Sequence, residues 1–336
     1  MRRLVRHGPS TLIVSLPANW VKAHGLKEKD EVEITERENQ LLVSLKGTNK
    51  KEAITIDISN YDRTSTLLLM HAVYRSGLTK ITFNFNKQDT IHFRTNKKIS
   101  YSKLIHNLLN RFIGFEITKE GENYIEITQV SNIDPGEIET MVNRTFILLK
   151  DIIDSFCNGI EENNFLELQK IEDKHDSITK LITYLLRAMI QSGYDSKEST
   201  SGLVHIMANI DKIIDILKYL AREKIETNKN TSKEIYPLLY LITASFNDYN
   251  KLFHKYDIAL IVSISKNRDE YKHISHTIKS SLNEDDLRTV TSLTQTLELL
   301  FDLVEWKMYL QIRKSLSTTA VSSNLVSNFS SHIKKV

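Results

Sequence analysis

Residues 1–46 carry the most informative pattern in the chain, MRRLVRHGPSTLIVSLPANWVKAHGLKEKDEVEITERENQLLVSLK. The apolar run at residues 12–16 predicts a β-strand, which ends at Pro17 because proline cannot donate a hydrogen bond to a neighbouring strand. Residues 18–24 then predict a short helix. The pattern farther along predicts two short strands that pair as a hairpin, at residues 31–34 and 40–43.

This small β-unit is too short to form an adequate core by itself. Below roughly 50 residues, a chain exposes too much surface relative to the volume that it can bury. The apolar pattern of the strands nevertheless requires burial. We therefore predict that a second copy of the chain completes the unit, which makes the protein a homodimer.

The charge of the chain is unevenly placed, with an excess of basic residues at its beginning. Of the 336 residues, 40% are hydrophobic and 26% charged, as in an ordinary soluble protein, and the net charge is only +3. One acid, Glu28, accompanies all of the basic side chains that precede Asp30, which are Arg2, Arg3, Arg6, Lys22, Lys27 and Lys29. A basic arm on a near-neutral body is typical of a local DNA contact. The alternative is a charged terminus that only interacts with water.

A family resemblance accompanies this charge. Specific residues run through the stretch in the order Arg6-x-Gly8-x-Ser10, Leu16-Pro17-Ala18 and Gly25-Leu26-Lys27-x-x-Asp30-Glu31-Val32-x-Ile34. This order resembles the swapped-hairpin DNA-binding domain of the AbrB/MazE/SpoVT family. The resemblance implies a dimer of interlocked hairpins that binds duplex DNA through Arg2, Arg3, Arg6, Ser10 and Lys22. A dimer whose arms bind nothing is the alternative.

The pattern from residue 52 to 130 alternates between strand and helix periodicity. It predicts helices at residues 62–76 and 100–112, and strands at 54–58, 81–85, 90–93, 114–117 and 124–127. Two helices on a small sheet form a compact α+β domain. Its histidines, His71, His92 and His106, are isolated in the sequence, so we expect them to be structural.

The remainder of the chain is predicted to be helical. Asp134-Pro135-Gly136-Glu137 is a strong helix-start signal, because it combines an N-cap acid with proline at the first helical position. Apolar residues at helical spacing then predict six helices, at residues 135–158, 164–191, 202–226, 236–256, 258–282 and 284–313. The Ser-rich segment 316–336 is predicted to be a mobile tail.

Pairs of acids recur in these helices with a spacing of four residues. They are Glu172 with Asp176, Asp211 with Asp215, and Glu298 with Asp302. This spacing places both carboxylates on one helix face, where like charges repel each other. A bound cation would relieve the repulsion. The alternative is that the acids are solvated or paired with lysines such as Lys174.

The helices look like two copies of one three-helix unit, and this organisation resembles the PhoU domain of phosphate-signalling proteins, in which paired acids at this spacing can bind metal ions. The resemblance implies a divalent or iron cation, held by Asp211, Asp215, Glu298, Asp302, Glu172 and Asp176. The order of the parts is similar to that of archaeal AbrB–PhoU fusion regulators. It implies a multidomain fold with an N-terminal swapped-hairpin β-barrel (1–46), a small α+β domain (52–130), and a C-terminal all-α pair of PhoU-like three-helix bundles (134–228 and 231–315).

The sequence favours a regulator over an enzyme. It contains no nucleophile elbow, Walker loop, dinucleotide fingerprint or zinc-helix motif. The single cysteine, Cys157, is expected to be an inert thiol. No signal peptide or membrane-spanning run is found, which predicts a cytoplasmic protein without membrane insertion. Two hypotheses follow: a DNA-binding transcriptional regulator linked to phosphate homeostasis, or a signalling adaptor that binds a phosphate transporter or kinase and uses the hairpin only to dimerise.

Overall fold

The chain divides into two compact units, Met1–Lys50 and Lys51–Val336. In this computed structural model, the placement of residues 2–37, 40–45, 52–131, 134–192 and 197–319 is described. Residues 38–39 of the predicted hairpin turn and 320–336 of the predicted tail lie outside these ranges. None of the described helices combines the length and apolar character needed to cross a bilayer.

The first unit consists of two antiparallel hairpins and a short helix. Its elements are β1 (Val5–His7), β2 (Thr11–Ile13), α1 (Ala18–Ala23), β3 (Val32–Arg37) and β4 (Gln40–Leu45). Strand β1 pairs with β2 and β3 pairs with β4, the latter as predicted. Gly8 has a φ of 79° in the turn between β1 and β2, a conformation that glycine adopts without steric cost. Strand β2 ends at Ile13 rather than at the predicted Leu16.

The second unit begins with the predicted α+β part. Its elements are β5 (Ala53–Asp57), α2 (Arg63–Arg75), β6 (Lys80–Asn84), β7 (Asp89–His92), β8 (Lys97–Ser100), α3 (Tyr101–Leu109), β9 (Phe115–Gly121) and β10 (Tyr124–Gln129). A mixed four-stranded sheet has the order β5-β6-β10-β9, with β5 and β6 parallel. Strands β7 and β8 form a separate antiparallel hairpin. The sequence pattern did not predict β8, because two lysines interrupt its apolar alternation.

The helices of the α+β part begin at side-chain caps. The Asp62 carboxylate accepts hydrogen bonds from the backbone N–H groups of Ser65 (2.9 Å) and Thr64 (3.0 Å) at the start of α2. Ser100 caps α3 through the N–H of Lys103. These caps satisfy N–H groups that have no partner inside the helix.

The C-terminal part of the second unit is helical, as predicted. Its helices are α4 (Ile138–Glu161), α5 (Phe165–Ser192), α6 (Lys197–Thr227), α7 (Tyr236–His254), α8 (Ile258–Ile278) and α9 (Glu284–Thr319). Asp134 accepts from the backbone N–H of Gly136, but Pro135–Glu137 form a 3-10 turn, so α4 begins at Ile138 rather than at the predicted residue 135. Helix α9 continues beyond its predicted end at Arg313.

The six helices share one hydrophobic core. Helix α4 packs against α7, and α6 packs against α9, so the first three helices contact the last three at two places. The ring of Trp306 stacks on the ring of His205, with the two ring centroids 4.0 Å apart. A buried ion pair joins Lys224 near the end of α6 to Asp286 in the first turn of α9, at 3.1 Å. The predicted division into bundles at residues 228–231 stays a prediction.

A buried arginine joins the helices to the α+β part. Arg187 of α5 is only 1% exposed. Its guanidinium donates to the backbone carbonyl oxygens of Tyr74, Gly77 and Leu78. Tyr74 lies in the last turn of α2, and the other two residues come just after the helix. It also donates to the side chain of Gln129 at 2.8 Å. A cation suits this place, because the carbonyl groups at the end of a helix carry partial negative charge.

Candidate nucleic-acid interface

The strands of the first unit expose their apolar side chains. Of the side chains in this unit whose burial is described, none is buried. Leu12 is 60% exposed and Leu41 is 65% exposed. The others that are largely exposed are Leu4, Val5, Ile13, Val14 and Ile34. So many exposed apolar side chains in one small unit are typical of an interaction surface.

The predicted DNA-contacting residues lie at the surface of the same unit. Arg2 donates to the Ser15 hydroxyl at 2.7 Å, and Arg6 donates to the Pro9 carbonyl oxygen at 3.0 Å. Arg3, Ser10 and Lys22 are also exposed. Within the described part of this unit, no carboxylate pairs with Arg2 or Arg6. Each guanidinium has five N–H donors, so most of its donors remain available to a phosphate.

Local pairing and hydrogen bonds position the polar side chains of the first unit. Arg6 lies opposite Leu12 in the hairpin, so the hairpin holds this arginine beside the apolar strand. The Asp30 carboxylate accepts from the backbone N–H of Lys27 at 2.6 Å, which closes the turn before β3. The unit therefore presents basic side chains and apolar strands together on a short, locally ordered scaffold.

Comparison with known proteins supplies a family for this unit. Residues 5–51 match the family described as antidote-toxin recognition MazE, bacterial antitoxin. The N-terminus carries a MazE-type domain. The matched range covers both hairpins of the MazE-type domain, together with α1. No curated protein matches the chain.

The acids predicted to bind a metal have basic partners. Asp211 lies 3.9 Å from the guanidinium of Arg75, which belongs to α2. Asp215 accepts from Lys218 at 2.6 Å and lies 3.0 Å from the Nε2 atom of His175. Each acid of this pair on α6 therefore has a basic neighbour. Arg75 of the α+β part contacts Asp211, and His175 of α5 and Lys218 of α6 contact Asp215.

The other predicted acids also meet cations. Glu172 accepts a two-point contact from Arg222, and Glu298 accepts one from Arg268. Asp176 accepts from Arg111 at 3.0 Å, which adds a second link between the α+β part and α5. The remaining acid, Asp302, is exposed. The structure thus brings Asp176, Asp211 and Asp215 near one polar boundary, whereas Glu298 pairs with a different helix.

Electrostatics at this boundary follow from burial and pairing. Burial raises the pKa of Asp211. Burial also acts to raise the pKa of Asp215, but hydrogen bonds from His175 and Lys218 outweigh it and hold that pKa well below its usual range. Burial acts to lower the pKa of His175, and its bonds to Asp176 and Asp215 raise it overall. Asp215 and His175 therefore stabilise each other's charged forms, whereas burial disfavours the charged form of Asp211.

A metal interpretation of these acids stays a prediction. Asp211 and Asp215 supply oxygen ligands of the kind that hard cations prefer. In residues 2–319, apart from the short gaps, no group of three or more His, Cys, Asp or Glu side chains is arranged to hold an ion. Ion pairs with the basic neighbours are the alternative way to relieve the repulsion between the paired carboxylates.

Sequence patterns did not identify the basic partners. Arg75 and Arg111 lie in the α+β part, far along the chain from the acids that they contact. Arg187 had a recognisable signal, because it interrupts the apolar run from Tyr184 to Ile190. A charged residue in such a run is buried only when it is paired.

The isolated histidines and the cysteine have local roles. His71 packs edge-on against Phe112 with ring centroids 5.0 Å apart, and burial lowers its pKa to about 4. His106 pairs with Glu120 at 3.0 Å. Cys157 is buried, and burial raises the pKa of its thiol to about 12. Such a thiol is a poor nucleophile at neutral pH.

Proposed function

We propose that the protein is a dimeric, non-enzymatic regulator that binds duplex DNA through its MazE-type domain. The observation that carries this proposal is the combination of exposed apolar strands and exposed basic side chains in residues 2–45. The apolar strands supply a dimer interface, and the basic side chains supply the DNA contact.

The dimer follows from the exposure of the strands. Leu12 and Leu41 are each at least 60% exposed in a single copy, and burying a side chain of this kind contributes about 1.5–3 kcal/mol. A second copy of the chain offers the same apolar strands, and twofold pairing of identical patches is the commonest arrangement among homo-oligomers. Residues 1–46 are therefore proposed to hold the homodimer together, in the swapped-hairpin arrangement of the family that they resemble.

The DNA contact follows from the charge. Arg2, Arg3, Arg6 and Lys22 are exposed cations, and Ser10 is an exposed hydroxyl in the turn between β1 and β2. Phosphate oxygens accept most of the hydrogen bonds that proteins make to DNA, largely from such side chains. Dimerisation doubles the number of these donors and fixes their spacing.

The link to phosphate homeostasis rests on the helices. The recurring acid spacing resembles that of phosphate-signalling proteins, and we propose that the helical part alters DNA affinity in response to phosphate status. Measuring DNA affinity with and without inorganic phosphate tests this link. An equal affinity in both conditions removes it and leaves the DNA-binding proposal intact.

Fluorescence anisotropy with a labelled, mixed-sequence duplex of about 30 base pairs tests DNA binding. The arm variant Arg2→Ala/Arg3→Ala/Arg6→Ala should bind much more weakly, and its plot of log K against log salt should be flatter by about 0.9 for each lost contact. The matched control is Lys180→Gln/Lys233→Gln/Lys266→Gln, which removes three exposed charges from the helical part. A wild-type dimer that does not bind DNA would favour the adaptor hypothesis instead.

A further inference from the structure

The hairpin formed by β7 and β8 has an unusual concentration of charge. Residues 87–103 contain one acid, Asp89, and five basic residues, which are Lys87, Arg94, Lys97, Lys98 and Lys103. The chain as a whole carries a net charge of only +3. The net charge of this short segment, five bases less one acid, is therefore greater than the net charge of the whole protein.

The tip of the hairpin is exposed and well ordered by local hydrogen bonds. Residues 93–98 are all exposed, and Phe93 is 69% exposed. The backbone N–H groups of Thr95 and Asn96 donate to the carbonyl oxygens of His92 (3.1 Å) and Phe93 (3.2 Å). The tip is thus a defined turn that presents an aromatic ring beside basic side chains.

The base of the hairpin is attached to the α+β part. Thr90 donates to the carbonyl oxygen of Tyr61 at 2.7 Å. The buried hydroxyl of Tyr101, which follows β8, donates to the same carbonyl and to that of Ile58, each at 2.7 Å. These bonds hold the base of the hairpin beside the start of α2, and the tip extends from this base.

Several lysines elsewhere in the unit are ion-paired, whereas the basic side chains of the tip are not paired in the described part of the chain. Lys80, Lys150 and Lys170 each form an ion pair with a neighbouring acid. Within the described ranges, no ion pair involves Arg94, Lys97 or Lys98. These three cations are therefore available to an external anion.

The support adds further positive charge. Arg63 begins α2, and the described residues provide it with no ion-pair partner. Burial, together with the nearby charges of Arg111 and Arg94, lowers the pKa of Arg63. An anion bound at the hairpin would reduce this mutual repulsion.

We propose that the β7–β8 hairpin is a second DNA-contacting surface, in which Arg94, Lys97 and Lys98 bind backbone phosphates. The major groove of B-DNA admits a two-stranded β-ribbon, and phenylalanine makes apolar contacts with thymine methyl groups there. Phe93, which is exposed at the tip, is the side chain that would make such a contact. This inference rests on the proposed DNA-binding function and extends it from the MazE-type domain to the second unit.

The test compares four full-length proteins on the same mixed-sequence duplex: the wild type, the arm variant, the lysine control, and the hairpin variant Arg94→Gln/Lys97→Gln/Lys98→Gln. The hairpin variant should bind about tenfold more weakly or worse, with a salt plot flatter by about 0.9 per lost contact. The lysine control should match the wild type. Circular dichroism and size-exclusion chromatography verify that each variant is folded and associates as the wild type does.

A photocrosslinker locates the contact independently. We place p-benzoylphenylalanine at Phe93 and, as a control, at Leu166, which is exposed to a similar extent at 71%. Irradiation with the duplex should give a DNA adduct from position 93 and none from position 166.

The outcomes separate this inference from the proposed function. A hairpin variant that binds as tightly as the wild type, while the arm variant loses affinity, overturns the hairpin contact and leaves the DNA-binding function intact. Equal losses in the hairpin variant and the lysine control also overturn it, because they reveal an effect of net charge alone. A wild type that binds no duplex overturns both proposals.

Discussion

The guanidinium of Arg187 lies 2.8 Å from the carbonyl oxygen of Leu78, across the boundary between α5 and the α+β part. The same group reaches the carbonyls of Tyr74 and Gly77. It also lies over the rings of Tyr74 and Phe115, each 4.8 Å from the ring centroid. One side chain therefore satisfies several backbone acceptors and stacks on two aromatic residues.

Replacing this arginine should destabilise the second unit strongly. Arg187→Met keeps much of the side-chain volume but leaves buried carbonyl oxygens without donors, and we expect a loss of about 3–5 kcal/mol in the free energy of unfolding. Urea denaturation followed by circular dichroism measures it. Arg144→Met, at an exposed position of α4, is the control and should change the free energy by less than about 0.5 kcal/mol. Equal stability of both variants would show that the carbonyls find other partners.

His71 should make stability depend on pH in the acid range. Its pKa of about 4 in the folded protein lies below the ordinary value of about 6.5, so the unfolded chain binds the proton more tightly. Stability contributed by neutral His71 is therefore present above pH 6.5 and is lost as the pH falls towards 4, by about 3 kcal/mol. His71→Gln should remove this part of the dependence. Thermal unfolding at several pH values, with the exposed-site variant His276→Gln as control, measures the difference.

The apolar strands of the first unit predict a dimer that depends on them. Leu12→Asp/Leu41→Asp should convert the dimer into monomers, since two charges would enter the proposed interface. Sedimentation equilibrium measures the association constant. Leu166→Asp alters an apolar side chain that is 71% exposed on α5, and its association should not change. Retention of the wild-type dimer by the double variant, or by a chain that lacks residues 1–46, would place the interface elsewhere.

The acidic positions separate the cation hypothesis from ion pairing. Asp215→Asn removes a carboxylate that contacts both Lys218 and His175, and we expect it to cost about 1–3 kcal/mol of stability. Asp302→Asn, at an exposed position, should cost less than about 0.5 kcal/mol.

Elemental analysis of protein purified without chelator then distinguishes the causes. A cation site predicts near-stoichiometric metal that is lost in the variant Asp211→Asn/Asp302→Asn, together with a Tm that falls after chelation. Little metal and an unchanged Tm would assign the stability to the basic partners alone.

The sequence predicted the helices well because their signals are local. Apolar residues at helical spacing were sufficient to locate the six described helices of the C-terminal part, although α4 begins later and α6 earlier than predicted. The partners of the acids were not predictable in this way. Arg75 meets Asp211 across the boundary between two parts of the fold, and no local pattern encodes such a contact.

Strand predictions were weaker where polar residues interrupt the alternation. Strands β1 and β8 contain basic residues and were missed, although β10 and β6 were found from their apolar alternation. The two missed strands belong to the hairpins that carry exposed arginines and lysines. Residues selected for a charged surface weaken the apolar pattern from which strands are predicted.

The shared core of the six helices has a consequence for how the chain can be divided. Helices α6 and α9 bury apolar side chains against each other, and the ion pair between Lys224 and Asp286 lies at one end of this contact. A fragment that ended near residue 228 would expose that face and leave Lys224 without its acid. We therefore expect that the predicted boundary at residues 228–231 does not separate two independently stable bundles. The two sets of helices should melt in a single cooperative transition, and a protease that cuts between them should not release a stable half.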